Sequence, residues 1–178
     1  MTKSGKIGQP CTPSLSTRAS GMVTLGISTN TRLLGLAIIK QGALVDYSIH
    51  LHKSSWSPSK VTEIITSLEP CVRQYCIKRV CLSIPHEYHQ TKEFKALIAR
   101  IREYFEKQNI PVYAQKSEAI YDLCPQGQKK TKKHLMQALS LRYPQLTFCQ
   151  QKELRNKNKY YYKLFEAVAV AALHEENG

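Results

Sequence analysis

The segment from residue 125 to 163 holds the side chains best suited to bind a polyanion. It contains ten Lys or Arg residues and a single acid, Glu153. Two stretches carry most of this charge: "GQKKTKKHL", with Lys129, Lys130, Lys132 and Lys133, and "KELRNKNKYYYK", with Arg155, Lys157, Lys159, Lys163 and Tyr160. Basic side chains contact phosphates, and aromatic rings stack on unpaired bases. The pattern predicts nucleic-acid binding by these residues, with Arg32 as a further candidate, and a solvated basic face without a partner is the alternative.

The charge of the whole chain is distributed unevenly. The formal net charge is +13, yet residues 22–124 carry thirteen basic and nine acidic residues, and residues 164–178 carry three glutamates and no Lys or Arg. A positive field concentrated in one segment favours a polyanionic partner, because neutralising phosphates releases their condensed counterions. We therefore expect DNA or RNA as the partner. An interaction protein that binds an acidic protein is a further alternative.

Several other residues could act as nucleophiles, metal ligands or phosphate ligands, but their spacing does not match the known motifs of such sites. Ser28 and Ser83 would need a positioned base to act as nucleophiles, and no Gly-x-Ser-x-Gly elbow is present. His86 and His89 in "HEYH" are three residues apart, whereas a zincin helix needs a spacing of four. The stretch "GQKKTKK" lacks the spacing of a phosphate-binding loop. These patterns disfavour a serine hydrolase, a zincin and a P-loop enzyme.

The elements that must position these residues follow from the apolar pattern. Strands at 23–27, 33–40 and 43–50, joined by tight turns, predict an antiparallel meander. Further strands are expected at 80–84 and 111–114, and helices at 59–75, 91–108, 130–142 and 165–173. Antiparallel strands followed by alternation predict an α/β fold with a mixed five-stranded sheet and helices on both faces.

The remaining features of the sequence concern the N-terminal tail, the cellular location and the state of the cysteines. Residues 1–21 are rich in Ser, Thr, Gly, Pro and Lys and predict a disordered basic tail before a single domain at 22–178, with Met22 as a second candidate start. No apolar run reaches the roughly 18 residues of a membrane span, and the N-terminus lacks a signal-peptide core. We expect a cytoplasmic protein with no membrane partner. The six cysteines lack zinc-site spacing and predict reduced, mostly buried thiols.

Three local motifs, in this order and spacing, resemble the RNase H-like superfamily and within it the RuvC and YqgF resolvase-like branch. "LGISTNTRLLGLAII" is similar to the opening motif apolar-Gly-apolar-Asp-x-Gly-x-(Arg/Lys)-x-x-Gly, matching at Gly26, Arg32 and Gly35. "VCLSIP" resembles the fourth strand, and "FEAVAVAAL" resembles the closing helix. The resemblance spans about residues 22–175. It implies an RNase H-like fold, a nucleic-acid substrate and a homodimer as one arrangement, because RuvC-like proteins often pair.

The resemblance also assigns the catalytic positions, and most of them lack an acid here. Two-metal cleavage needs several carboxylates that converge on two divalent ions. Ser28 stands at the first position, Ser83 or its neighbours Ile84 and Pro85 at the fourth-strand position, and Lys163 and Glu166 at the closing pair. Glu166 is the residual acid, hydroxyls lack the charge that Mg²⁺ prefers, and an ammonium repels a cation.

We therefore expect lost nuclease activity and no bound metal. The alternative is an active Mg²⁺- or Mn²⁺-dependent nuclease of the Holliday-junction-resolvase type with rearranged ligands. Such a site would add Glu87, Glu118 or Asp122 to Glu166.

Overall fold

The computed structural model describes residues 21–157 and 159–177. The tail predicted at 1–21 lies outside the described residues except for Gly21. Five strands form one sheet: β1 (Val23–Thr29), β2 (Leu33–Lys40), β3 (Ala43–Leu51), β4 (Arg79–Ile84) and β5 (Val112–Lys116). Their order across the sheet is β3-β2-β1-β4-β5. The first three strands pair antiparallel, whereas β4 runs parallel to both β1 and β5. The predicted mixed five-stranded sheet is confirmed.

The helices are α1 (Pro58–Thr66), α2 (Glu69–Gln74), α3 (Lys92–Glu106), α4 (Lys132–Arg142), α5 (Thr147–Arg155) and α6 (Tyr162–Asn177). Short 3₁₀ turns follow β4, β5 and α4. Three helices begin where hydroxyl side chains accept a first-turn N–H, at Ser57, Thr91 and Thr131. Such N-caps satisfy backbone donors that would otherwise lack a partner.

Two predictions about the helices were wrong. The single helix expected at 59–75 is two helices, α1 and α2, with a proline at the start of the second. Pro70 lacks an N–H and clashes with the preceding turn, so the first helix cannot continue through it. Helix α5 was not predicted, because it has no apolar stripe: its buried residues are Cys149 and Glu153, while Phe148 and Leu154 are exposed.

Alternation along the strands divides the core into two layers. Leu25, Ile27 and Leu82 face α1 and α3 on one side of the sheet. Ala37, Ile39 and Cys81 face α4, α5 and α6 on the other. Because side chains alternate with a period of two, Ser28 and Ser83 lie on the α6 side of their strands.

Helix α6 lies unusually close to the sheet. A Cβ added to Gly26 would sit 2.0 Å from the carbonyl oxygen of Ala167, and one added to Gly35 would sit 2.2 Å from that of Lys163. Only glycine permits this approach. At the far end of the helix, Glu175 accepts from Thr24 Oγ1 at 2.6 Å and pairs with Arg79 at 3.0 Å. These contacts fix α6 along β1 and place Glu166 at the carboxyl end of that strand.

The described cysteines differ in exposure: Cys81, Cys124 and Cys149 are buried, Cys71 is half-buried and Cys76 is exposed. Burial raises the pKa of the Cys71 thiol to about 11 and that of Cys81 to about 12, so both are protonated near neutral pH.

Among the described helices, none combines the length and apolar character needed to cross a membrane.

Candidate functional site

Three side chains meet where β1 ends and α6 begins. The hydroxyl of Ser28 donates to Glu166 Oε2 at 2.5 Å, and the ammonium of Lys163 donates to the same oxygen at 2.6 Å. Ser28 is 1% exposed and Glu166 is 7% exposed, so this carboxylate is nearly removed from water. Lys163 and Glu166 are three residues apart on one helix, a spacing that places them on the same face. The acid is therefore compensated within the chain by a cation and a hydroxyl.

Ser83 lies beside this group. It pairs with Ser28 in the parallel register of β1 and β4, and it is 4% exposed. Its Oγ has no hydrogen-bond partner within the described part of the chain. Buried polar atoms normally have partners, so this hydroxyl is an exception to the usual pairing.

The residues at this centre do not fit a pair of divalent metal ions. Hard cations such as Mg²⁺ need several oxygen ligands that carry negative charge. Here one carboxylate is present, and an ammonium already occupies its Oε2. Over residues 21–157 and 159–177, no group of three or more His, Cys, Asp or Glu side chains could hold a metal. The alternative ligands Glu87, Glu118 and Asp122 are all exposed, and Asp122 pairs with Lys130 at 2.6 Å.

A cavity of about 270 Å³ opens next to this centre. We call it the centre cavity. Its lining residues are Thr29, Asn30, Thr31, Pro85, His89, Thr91, Phe94 and Lys163. The "HEYH" stretch forms a 3₁₀ turn at its rim, where His86 caps the turn by accepting from the N–H of Tyr88. Lys163 thus reaches both Glu166 and the solvent-filled space in front of it.

A larger cavity of about 490 Å³ adjoins the centre cavity. We call it the arginine cavity. Its lining residues are Asn30, Arg32, Leu33, Leu51, Lys159 and Tyr160. Asn30 lines both cavities, and its Oδ1 accepts from the N–H groups of Arg32 and Leu33 at 2.8 and 2.7 Å, which holds the turn after β1. The structure therefore brings Arg32 together with Lys159 and Tyr160, which are adjacent to each other but far from Arg32 in sequence.

A third cavity of about 260 Å³ lies between the start of α4, the end of α5 and the start of α6. We call it the lysine cavity. Its lining residues are Lys132, Lys133, Met136, Glu153, Leu154, Lys159 and Tyr162. Lys159 lines this cavity and the arginine cavity, so the three cavities are neighbours that share lining residues.

The other basic candidates lie outside these three cavities. Lys129, Arg155 and Lys157 are exposed, and Lys130 is held by Asp122 in an exposed ion pair. Exposed pairs contribute little to stability, so Lys130 is readily released to another anion. The described segment thus presents two sets of cations, one set in the cavities and one on the open surface.

Three consecutive tyrosines lead into α6. Tyr160, Tyr161 and Tyr162 are all half-buried. The rings of Tyr160 and Tyr161 meet edge to face at 4.9 Å, while the hydroxyl of Tyr162 lies 2.7 Å from that of Tyr121. Burial raises the pKa of Tyr160, so its hydroxyl stays protonated at neutral pH.

One residue that organises the site was not singled out from the sequence. Glu153 is 1% exposed, and its Oε2 accepts from the N–H groups of Tyr160 and Tyr161 at 2.9 and 2.8 Å. It therefore fixes the turn into α6 that carries Tyr160 and Lys163. Its signal in the sequence was its isolation as the one acid among ten basic residues.

Comparison with solved structures identifies the fold. The chain is similar to RuvC from T. thermophilus in complex with Holliday junction substrate, with a TM-score of 0.67, 16% identity, and coverage of 86% of this chain and 93% of that one. A second structure of Thermus thermophilus RuvC gives a TM-score of 0.66 at 14% identity, covering 86% of this chain and 93% of that one.

A viral protein matches over nearly its whole length. The Fowlpox virus resolvase in complex with Holliday junction DNA gives a TM-score of 0.51 at 13% identity, covering 87% of this chain and 99% of that one. No protein-family model matches the sequence, and no curated protein sequence matches it. The sheet order, the closing helix and these matches together show that the chain has an RNase H-like fold of the RuvC type.

Proposed function

We propose that this protein binds DNA or RNA through these three neighbouring cavities and does so without metal-dependent cleavage. One observation carries the proposal. Arg32, Lys159 and Tyr160 line a single cavity that shares Asn30 with the cavity in front of Lys163. Cations that neutralise phosphates beside a ring that stacks on a base are the features of a single-strand or branched-strand binding surface.

Charge supports a polyanion as the ligand. The cavities collect Arg32, Lys159 and Lys163, and Lys132 and Lys133 continue the positive surface into the lysine cavity. The one carboxylate at the centre is already compensated by Lys163. A strand that enters therefore meets a positive field rather than an open acidic cluster, as neutralisation of its phosphates requires.

The absence of cleavage follows from the donor set at the centre. Two-metal hydrolysis depends on carboxylates that hold both ions and on water activated by them. Ser28, Ser83 and Lys163 offer two hydroxyls and an ammonium at the positions where the resemblance to the RuvC-like branch implies metal ligands. The resemblance implies that Glu166 is the residual acid, and we propose that its role here is to hold Lys163 at the rim of the cavity.

A paired binding and cleavage assay tests both parts of the proposal. End-labelled four-way junction, duplex and single strand are incubated with the protein in EDTA, Mg²⁺ or Mn²⁺, and bound and cut products are separated. The proposal predicts retarded complexes in EDTA and intact strands in either metal. Cleavage that disappears in Glu166→Gln would establish a metal-dependent nuclease instead. Binding to an acidic protein, with none to nucleic acid, would establish an interaction protein.

Two further expectations belong to the same proposal and rest on the family resemblance and the sequence. A homodimer would place two such surfaces in one particle, and sedimentation velocity measures its mass directly. A cytoplasmic location is the second expectation, and imaging of a fluorescently tagged chain in its own cell tests it.

A further inference from the structure

The lysine cavity differs from the other two in its apolar interior. Met136, Leu154 and the ring of Tyr162 supply apolar surface, and Lys132, Lys133 and Lys159 also line the cavity, with the Lys159 ammonium donating to the Glu153 carbonyl oxygen at 3.0 Å. The sequence assigned the lysines to a general phosphate-binding face. Apolar walls below a cationic rim suit a ligand with a flat apolar body and an attached anion.

The ring of Tyr162 is reachable from the rim. Lys132 is exposed, and its Nζ lies 4.4 Å from the centroid of this ring. A flat aromatic group that stacks on the ring replaces this cation–π contact and frees the ammonium for the attached anion. The Tyr162 hydroxyl is fixed by its contact with Tyr121, so the ring has a defined orientation before any ligand enters.

The cavity also contains an acceptor that lacks a donor. Glu153 lines it and is 1% exposed, and its Oε2 is used by the N–H groups of Tyr160 and Tyr161. Its Oε1 is buried and has no hydrogen-bond partner in the described structure. A buried carboxylate oxygen without a partner favours a ligand that carries N–H donors.

We propose that the lysine cavity accepts one unpaired nucleobase of a bound strand, with the adjacent phosphates held by its lysines. The base stacks against Tyr162 between Met136 and Leu154, and its amino or imino N–H groups reach Glu153. Lys159 links this cavity to the arginine cavity, so one strand can occupy both. This inference rests on the proposed function and adds to it a preference for strands with an extruded base.

The test compares two labelled DNA duplexes by fluorescence anisotropy in EDTA. One carries a single unpaired adenine, and the other carries an abasic residue at the same place. We expect the adenine bulge to bind roughly 5- to 150-fold more tightly, the equivalent of about 1–3 kcal/mol for one stacked base. The backbone charge is the same in both probes, so the ratio reports the base alone.

A cavity-filling variant links this ratio to the cavity. Leu154→Trp fills the space from a side chain that is 46% exposed, so folding is little affected, and it should bring the ratio of the two affinities close to one. Leu141→Trp is the matched control, because Leu141 is 76% exposed on α4 and outside the cavity lining, and it should retain the preference. Circular dichroism and thermal melting verify that both variants are folded.

The outcomes separate this inference from the proposed function. Equal affinity of the wild-type protein for the two duplexes overturns the base-binding cavity and leaves nucleic-acid binding standing. Tight binding of adenosine monophosphate without preference for the bulge overturns it in favour of a free-nucleotide site. Loss of preference in Leu141→Trp as well places the base elsewhere. Absence of binding to both duplexes overturns the base-binding cavity, and absence of binding to the four-way junction and single strand as well removes the proposed function.

Discussion

Removing Lys163 alone should destabilise the fold at least as much as removing both charges of the Lys163–Glu166 pair together. The perturbation is a double-mutant cycle with Lys163→Met, Glu166→Gln and the double variant. Lys163→Met leaves a carboxylate whose side chain is 10% exposed with Ser28 as its one remaining donor in the described structure. An uncompensated charge in such a place is costly, whereas two neutral side chains of similar size are tolerated.

The magnitude follows from the exposure of the two partners. Breaking a fully buried pair costs about 3–5 kcal/mol, and an exposed pair contributes about 0.2–1 kcal/mol. The Lys163 side chain is 21% exposed, which places this pair between those limits and nearer the first. We expect the free energy of unfolding to fall by about 2–3 kcal/mol in Lys163→Met and by about 1–2 kcal/mol in Glu166→Gln. The double variant should be about 2 kcal/mol more stable than the sum of these two losses predicts.

Urea unfolding followed by circular dichroism measures the cycle. With a slope of about 2 kcal/mol per molar urea, Lys163→Met should lower the midpoint by about 1–1.5 M. The pair Lys107–Glu103 provides the control, because it has the same chemistry at 2.7 Å but side chains that are 71% and 42% exposed. Its coupling should stay under about 0.5 kcal/mol. Additive effects at Lys163 and Glu166, like those of the control, would refute the view that the lysine neutralises this acid.

Three further outcomes are expected. Replacing Lys129, Lys130, Lys132 and Lys133 with glutamine should flatten the slope of the logarithm of the duplex-binding constant against the logarithm of the salt concentration. The expected change is roughly 2–3 units, because each phosphate contact contributes about 0.9. An unchanged slope would exclude these lysines from the interface. Tyr160→Ala should weaken single-strand binding by about 1–3 kcal/mol in anisotropy titrations and leave duplex binding nearly unchanged, whereas equal losses would assign the ring to packing. Burial and the nearby charge of Arg79 lower the pKa of His174, and Glu175 opposes this shift only in part. As the pH falls, the unfolded chain therefore binds a proton at this histidine before the folded chain does. The stability contributed by neutral His174 is lost as the pH falls below about 6.5, the ordinary pKa of histidine. Urea midpoints at pH 7.5 and 5.5 should therefore differ less in His174→Phe, which keeps the ring contact with Tyr113, and an unchanged difference would rule out this histidine as a source.

Elements with a clear apolar period were predictable from the sequence. The strands of the meander and helix α3 lie within two residues of their expected bounds, because their apolar residues face a continuous core. Helix α5 was missed for the opposite reason: it buries Cys149 and Glu153, and it leaves Phe148 exposed. A helix is predicted from sequence by the periodic apolar residues on one of its faces, and α5 lacks such a pattern.

The site was predictable in its members and not in its arrangement. Ser28 and Glu166 were found through motifs at two ends of the chain, but their 2.5 Å contact depends on how closely α6 crosses β1 at Gly26. The grouping of Arg32 with Lys159 and Tyr160 depends on the turn into α6, which the buried Glu153 holds. Long-range geometry of this kind has no local periodicity, and composition predicted only one general phosphate-binding face for all the lysines.

The decisive measurement concerns the cavity that joins Arg32 and Lys159. Anisotropy titrations of labelled single-stranded DNA over a range of salt, in EDTA, compare the wild-type protein with Arg32→Gln/Lys159→Gln and with Arg73→Gln/Lys107→Gln. The second double variant removes the same charge from exposed positions on α2 and just after α3. Nucleic-acid binding through this cavity predicts weaker binding and a slope flatter by about 1–2 units in the first variant, at about 0.7 per contact, and wild-type behaviour in the second. Equal curves for the two variants would contradict it.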